Sequence, residues 1–292
     1  MSQTMGAALR QAILCLERHG VSEPQAAAEV LLADLLATTR PYLYVKADCP
    51  LSIDQYVAYL ARLQRRLRGE PVQYITGKQE FWSLEFAVST PVLIPRPESE
   101  LLIEHGTRLA QQWSTAYPQA GLAVLDVGTG SGNLAISLAH MLPQACVWAV
   151  DRAYVALQVA RQNAQRLGVA ERLHWVCGDL VTAFQEGRQC FALCVANLPY
   201  VTTVEWDSLP REIKEYEPAS ALWGGSDGLD LIRRLIAASH EVLAPRGFLL
   251  LEVGWQQATA VRAIIQQQGH FRCTGVYHDW VGIERVVWAQ VL

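Results

Sequence analysis

The sequence predicts a doubly wound α/β domain preceded by a small, wholly helical unit. Two observations carry the first half of that statement. Apolar runs of strand length recur from Ala123 to Val253, and four of them break off in a glycine, an acid or an amide: Val127-Gly128, Val150-Asp151, Cys177-Gly178-Asp179 and Ala196-Asn197. Helical stretches such as Asn133 to Met141 lie between such runs, the alternation expected of a parallel sheet covered on both faces. The second half rests on the N-terminal part, which shows only helical spacing. The boundaries read as residues 1–75 for the helical unit, 76–95 for a hairpin-like linker and 96–292 for the α/β domain.

Within the helical unit, Leu9, Ile13 and Leu16 recur at helical spacing between Gly6 and His19, and Gly20 supplies a stop. Ser22 with Gln25, and Pro24 between them, predicts a capping box for a helix from Ala26 to Ala37; Ser52 with Gln55 predicts another before a helix reaching about Arg68. The apolar faces of these helices (Leu31, Leu32, Leu35, Leu36; Tyr56, Tyr59, Leu60, Leu63) read as bundle core. Arg62, Arg65, Arg66 and Arg68 read as a solvated helix end whose charge suits the dipole, with an acidic protein surface or RNA as the alternative contact. Glu70-Pro71 breaks the helix. In the linker Glu80–Trp82, Leu84–Val88 and Val92–Ile94 alternate like strands. Pro95-Arg96-Pro97-Glu98-Ser99-Glu100 then opens a helix, with Pro97 in the first turn and two acids at the positive end; closure over a cofactor is the functional alternative for this segment.

Composition narrows the class of function. Of 292 residues 51% are apolar, and the formal net charge is -4, which argues against a broad nucleic-acid-binding face. Seven cysteines (Cys15, Cys49, Cys146, Cys177, Cys190, Cys194, Cys273) form no CxxC pair and read as small buried hydrophobes in a reducing compartment. His174, His240 and His270 are scattered singly, and nothing has metal-ligand spacing, so no metal is expected. The N-terminus has no signal-peptide core and no apolar run reaches spanning length, which leads to the expectation of a cytoplasmic protein without a membrane partner.

The glycine loop after the first strand, Gly128-Thr129-Gly130-Ser131-Gly132, lets a ligand lie against the backbone and offers helix N-terminal amides to a negative group. Asp151, at the end of the next strand, is placed to accept from ribose hydroxyls. After the third, Asp179 can accept from an adenine amino group and Leu180 can cover its ring. The spacing is G-x-G-x-G, whereas dinucleotide folds use G-x-G-x-x-G, so S-adenosylmethionine fits better than NAD, which stays as the alternative from another reaction class. The run Phe191 to Ala196 ends in Asn197-Leu198-Pro199-Tyr200: a side-chain carbonyl, a backbone carbonyl, a stiff turn and an aromatic face that together suit a planar amide or amine. A helix from Leu229 to Leu243, a turn Pro245-Arg246-Gly247, a strand Phe248 to Val253, a helix Gln256 to Gln268 and strands near Phe271–Tyr277 and Arg285–Val291 complete the expected domain.

Over nearly its whole length the chain resembles the release factor glutamine N5-methyltransferases of the PrmC/HemK type. The resemblance rests on Gly69-Glu70-Pro71, Tyr74-Ile75-Thr76-Gly77, Glu80-Phe81-Trp82, Ile94-Pro95-Arg96-Pro97-Glu98, Asp126 to Gly132, Tyr216-Glu217-Pro218, Gly224-Gly225, Asp227-Gly228-Leu229 and Glu284-Arg285. It implies an S-adenosylmethionine-dependent methyltransferase domain of Rossmann-like type, cofactor residues Asp126, Gly128, Thr129, Gly130, Ser131, Gly132, Asp151, Asp179, Leu180 and Asn197, and an acceptor loop of Asn197, Leu198, Pro199 and Tyr200. It also implies the substrate, the glutamine of the Gly-Gly-Gln motif in class I peptide-chain release factors, docked with help from the helical unit. In this picture Asn197 Oδ1 and the Leu198 carbonyl accept the two amide hydrogens while Tyr200 packs and orients the side chain. A monomer without a stable nucleic-acid partner is expected. The family pattern at the loop is Asn-Pro-Pro-Tyr; Leu198 keeps the carbonyl and, before Pro199, the bias to extended backbone, but gives up the fixed φ. The alternatives are a methyltransferase acting on an adenine N6 or guanine N2 amine of nucleic acid and a non-catalytic adaptor on the same fold.

Overall fold

The computed structural model describes residues 3–184 and 190–292, the side chains of 273 and 274 excepted. The chain divides into two compact units: Met1–Lys78 with Pro210–Tyr216, and Gln79–Leu209 with Glu217–Leu292.

The first unit contains α1 (Met5–Arg18), α2 (Pro24–Leu35), α3 (Arg40–Val45), α4 (Ile53–Leu67) and α5 (Val72–Thr76). Leu9, Leu16, Leu31, Leu32, Tyr59 and Leu63 form its core, whereas Leu60 is exposed, contrary to its expected place in the bundle. The Ser52–Gln55 capping box forms. The one expected at Ser22 and Gln25 does not: α2 starts from Glu23 at φ 49 with Pro24 in its first turn and no side-chain cap. Gln25 instead reaches Glu29, and Ser22 Oγ accepts from Arg66. The arginines near the end of α4 are a solvated helix end only in part: Arg65 and Arg68 are exposed, whereas Arg62 is half-buried and Arg66 buried. Arg62 pairs with Asp34 at 2.7 Å and Arg65 with Glu70 at 2.5 Å, and the buried Arg66 pairs with Glu212 at 2.7 Å. Because Glu212 lies in Pro210–Tyr216, a segment from late in the sequence closes this unit, and Tyr216 donates from the same segment to the Arg68 carbonyl.

In the second unit β1 (Lys78–Phe81) and β2 (Leu84–Ala87) make a hairpin around Trp82 and Ser83, both at positive φ as a two-residue loop of this kind requires. Phe81 and Phe86 sit in the main core, so these strands belong to the second unit's packing, and Val92–Ile94 carries no strand. A short 3-10 turn, Pro97–Ser99, leads into α6 (Glu100–Ala116). There follow β3 (Ala123–Val127), α7 (Asn133–Met141), β4 (Cys146–Asp151), α8 (Tyr154–Arg166), β5 (Leu173–Cys177), β6 (Phe191–Ala196), α9 (Thr203–Ser208), α10 (Arg211–Tyr216, packed in the first unit), α11 (Asp230–Ser239), β7 (Leu243–Glu252), α12 (Ala258–Gln268), β8 (Phe271–His278) and β9 (Glu284–Val291). β7 spans the expected turn at 245–247 and is irregular there: its pairing with β6 jumps from Leu243 to Phe248, and Arg246 takes φ 61.

The seven strands are ordered β5-β4-β3-β6-β7-β9-β8, all parallel except that β9 runs against both neighbours. Every residue of β6 is buried, as a central strand with both faces covered requires. The chain winds outward from β3 to β5, then returns to the other side of β3 with β6. That reversal is the switch point at which open sheets bind ligands, and the register pairs Val127 with Ala196, so Gly128 and Asn197 leave the sheet side by side.

The cysteines and histidines also depart from expectation. Cys194 is buried, but Cys177 and Cys190 are exposed and the side chain of Cys273 lies outside the described residues. His240 and His270 are not solitary; their rings stack 3.7 Å apart.

Candidate active site

A pocket opens at the switch point, lined by Gly128 and Gly130 from the first loop, Asp151 and Ala153 after β4, and Asp179 and Leu180 after β5. Its other wall is Asn197, Leu198 and Pro199, with Val92, Leu93, Pro218 and Ala221 closing it. The remaining sequence-predicted residues stand behind this surface. Asp126 is fully buried, and its Oδ2 accepts from Thr129 Oγ1 at 2.7 Å and from the Ala135 amide at 3.1 Å, tying the glycine loop to α7. Its other oxygen is buried with no partner among the described residues, and burial pushes its carboxyl up to about 7 against the two hydrogen bonds. Thr129 and Ser131 are likewise buried, and Gly132, at φ 81, caps α7.

Asp151 is a loop anchor as well as a ligand candidate: it accepts from the Gly130 amide at 2.9 Å and the Ala153 amide at 2.8 Å. Asp179 is held at 2.5 Å by Arg234, and Leu180 is fixed at φ 53, a left-handed conformation that an L-residue adopts only under constraint. Gly128, at φ 79, takes a backbone conformation that L-residues rarely adopt, and a Cβ there would crowd Leu198 Cδ2 at 3.1 Å. Leu198 is buried against the glycine loop.

The loop from Asn197 to Tyr200 is fixed from several sides. Asn197 Nδ2 donates to Ser99 Oγ at 2.9 Å, leaving Oδ1 with no protein donor among the described residues. Gln257 Nε2 donates to the Tyr200 carbonyl at 2.9 Å. Tyr200 stands outside the pocket lining; its ring packs into the core, and its hydroxyl donates to Glu252 at 3.3 Å, so it anchors the loop from behind. Burial, then the Glu252 charge, raises the phenol. Gly228, at φ 76, runs so close beneath the loop that a Cβ would meet the Tyr200 carbonyl oxygen at 2.1 Å. Behind the pocket Arg96 pairs with the buried Glu217 at 2.5 Å, and Glu217 also accepts from the Ile94 amide at 3.3 Å.

Sequence reasoning missed Ser99, Glu217, Glu252 and Gln257. Glu252 had a usable signal, since it is the acid that interrupts the apolar run Phe248–Val253 at a strand end, just as Asp151 closes its own strand. Ser99 read as helix-start chemistry, and its partner lies far away in sequence.

Comparison with known proteins bears on the family and the fold. Two families match: the PrmC N-terminal domain over residues 7–77 and a methyltransferase domain over residues 124–216. Among solved structures, the hMettl16 catalytic domain in complex with a MAT2A 3'UTR hairpin has a TM-score of 0.56 at 14% identity, covering 82% of each chain, which speaks to the fold alone. Fold and pocket define an S-adenosylmethionine-dependent methyltransferase. The release factor glutamine methyltransferase of Koribacter versatilis is 40% identical over 97% of both chains, that of Moorella thermoacetica 39% over 97% of this chain and 96% of its own, and that of Bacillus anthracis 33% over 97% and 98%. The chain belongs to this family of release factor glutamine methyltransferases.

Two outcomes follow from this geometry. Gly228→Ala must displace the Tyr200 carbonyl, so single-turnover methyl transfer should fall about a hundredfold, the scale of a 1 Å misplacement, while calorimetry finds cofactor affinity little changed. Asp126 and Glu252 both have pKa values raised to about 7 in the folded protein. The native state therefore holds more protons than the unfolded chain between about pH 4 and pH 7, and stability falls as pH rises through that window, by at most about 1.4 kcal/mol per pH unit per group. Denaturant unfolding across the window should show this slope, reduced in Asp126→Asn.

Proposed function

We propose that the enzyme transfers a methyl group to the side-chain amide nitrogen of a glutamine in class I release factors, and that Asn197 and Leu198 hold that amide. The observation that carries the reading is the switch-point register, which sets an acceptor-type loop and a cofactor-type glycine loop on facing walls of one pocket. The residues present suit S-adenosylmethionine: Gly128 and Gly130 for its amino-acid end, Asp151 for its ribose, and Asp179 and Leu180 for its adenine. The bound cofactor supplies a methyl group on a positively charged sulfur.

An amide nitrogen is a weak nucleophile because its lone pair is delocalised into the carbonyl. Asn197 Oδ1 and the Leu198 carbonyl accept its two hydrogens, fix its direction and stabilise the positive charge that grows on it as the C–N bond forms and the C–S bond breaks. The methylated nitrogen is then strongly acidic and loses its proton without a dedicated base. Pro199 and Tyr200 keep the two carbonyl oxygens in place.

The same reading makes the helical unit the docking module. Ile53, Val57 and Leu60 lie within two turns of α4 and are exposed, an apolar strip that suits a protein partner better than a nucleic acid. A monomer working in the cytoplasm on a protein substrate fits the near-balanced charge, and no helix among the described residues is long and apolar enough to cross a membrane. The nucleic-acid alternative gains no support from the charge balance.

Incubation with labelled S-adenosylmethionine and a panel of release factors and RNAs, followed by mapping of the label, tests the reading; label on a release factor glutamine is expected, and label on RNA alone would overturn it. Asn197→Ala should lower turnover by about a hundredfold to a thousandfold, the loss typical of one preorganised group, with cofactor affinity much less affected.

A further inference from the structure

Ser99 occupies the N-cap position of α6, where a serine ordinarily accepts from the helix's own amides, yet it makes no capping bond. Its hydroxyl lies between two other groups, 2.9 Å from Asn197 Nδ2 and 2.6 Å from Glu252 Oε2. Ser99 is 1% exposed and Glu252 2% exposed, so water does not substitute for either contact. A buried carboxylate with no cationic partner in contact is expensive, and nothing in the fold's packing calls for one at the end of β7.

We infer that Ser99 and Glu252 are positioning residues that hold the Asn197 amide in the one orientation able to receive the substrate glutamine. This rests on the reading of Asn197 given above. A primary amide has two ends of nearly the same shape, one accepting and one donating, and the network of partners decides which faces which way. Ionised Glu252 can only accept. It takes the single proton of Ser99 and also that of Tyr200, whose hydroxyl lies 3.3 Å from the other carboxylate oxygen. Ser99 then has only lone pairs for Asn197, which must present Nδ2 to it and Oδ1 to the pocket. If the amide turned over, two oxygens would face each other at Ser99. At the pocket, an NH2 group would meet the NH2 group of the incoming glutamine. One fixed charge thus sets the polarity of a chain of hydrogen bonds that ends on the acceptor.

The polarity depends on that charge. Burial raises Glu252 to about 7, Ser99 and Tyr200 oppose the rise, the nearby Glu98 adds to it and Arg285 lowers it; Arg96 and Arg285 act on Tyr200. Once protonated, Glu252 becomes a donor, Ser99 is free to turn its own proton toward Asn197, and the orientation is no longer fixed. Methyl transfer should therefore weaken as pH falls below this range.

The test is single-turnover methylation of a purified release factor at saturating S-adenosylmethionine across pH 5.5–9, with calorimetric cofactor binding in parallel. The variants are Ser99→Ala, Ser99→Thr, Glu252→Gln and Asn197→Ala. Ser99→Ala and Glu252→Gln should each slow transfer by about tenfold to a hundredfold, the scale of a misoriented catalytic group, with cofactor affinity near that of the wild type. Ser99→Thr, which keeps the hydroxyl, should restore most of the rate, and the acid limb near pH 7 should be absent in Glu252→Gln. If Glu252→Gln does not fold, the contrast between Ser99→Ala and Ser99→Thr decides alone. Wild-type rates in Ser99→Ala with Asn197→Ala inactive would overturn the positioning role and leave the acceptor reading intact. A wild-type rate in Asn197→Ala would overturn the acceptor reading and this inference with it.

Discussion

The parallel pairing of β3 with β6 is the constraint from which the site follows. It brings the ends of two strands far apart in sequence to one level, Val127 beside Ala196, and so sets the glycine loop beside the loop that begins at Asn197. Because β6 is buried along its whole length, a slip in register would force both covered faces to repack and leave backbone groups unpaired at the strand ends. The chemistry inherits its alignment from that cost.

Around this alignment the protein places polar side chains that hold backbone in place. Asp126 and Asp151 hold the glycine loop, Glu217 joins the Ile94–Arg96 segment to the stretch before Pro218, and Gln257 ties down the Tyr200 carbonyl. Each leaves the pocket-facing atoms fixed before a substrate arrives, which is the condition for electrostatic stabilisation to lower a barrier without reorganisation. Leu198 fits the same logic. Its buried side chain fills the space against Gly128.

Much of this was legible in the amino-acid sequence, because strand ends in an open sheet are marked by abrupt changes of polarity. Val150-Asp151, Cys177-Gly178-Asp179 and Ala196-Asn197 each announce both a strand and a residue of the pocket lining. What stayed hidden depends on contacts between distant positions. Ser99 and Glu252 are 153 residues apart, and only the fold joins them. The arginines of α4 satisfied a helix-dipole argument equally well as a solvated end; their acids, Asp34, Glu70 and Glu212, come from three separate segments. Ser22 failed as a cap because Glu23 takes the left-handed turn that starts α2, a local choice that the capping pattern does not encode.

The claim on which the account stands is that the acceptor amide is held between Asn197 Oδ1 and the Leu198 carbonyl. The most direct measurement is a neutron or very high-resolution X-ray structure of the enzyme with S-adenosylhomocysteine and a glutamine-bearing release factor fragment, in which oxygen and nitrogen of the amides are distinguished. The account predicts both carbonyl oxygens within about 3 Å of the glutamine nitrogen, with Asn197 Nδ2 still turned to Ser99. A glutamine nitrogen bonded to other groups, or an Asn197 presenting its NH2 to the substrate, would contradict it.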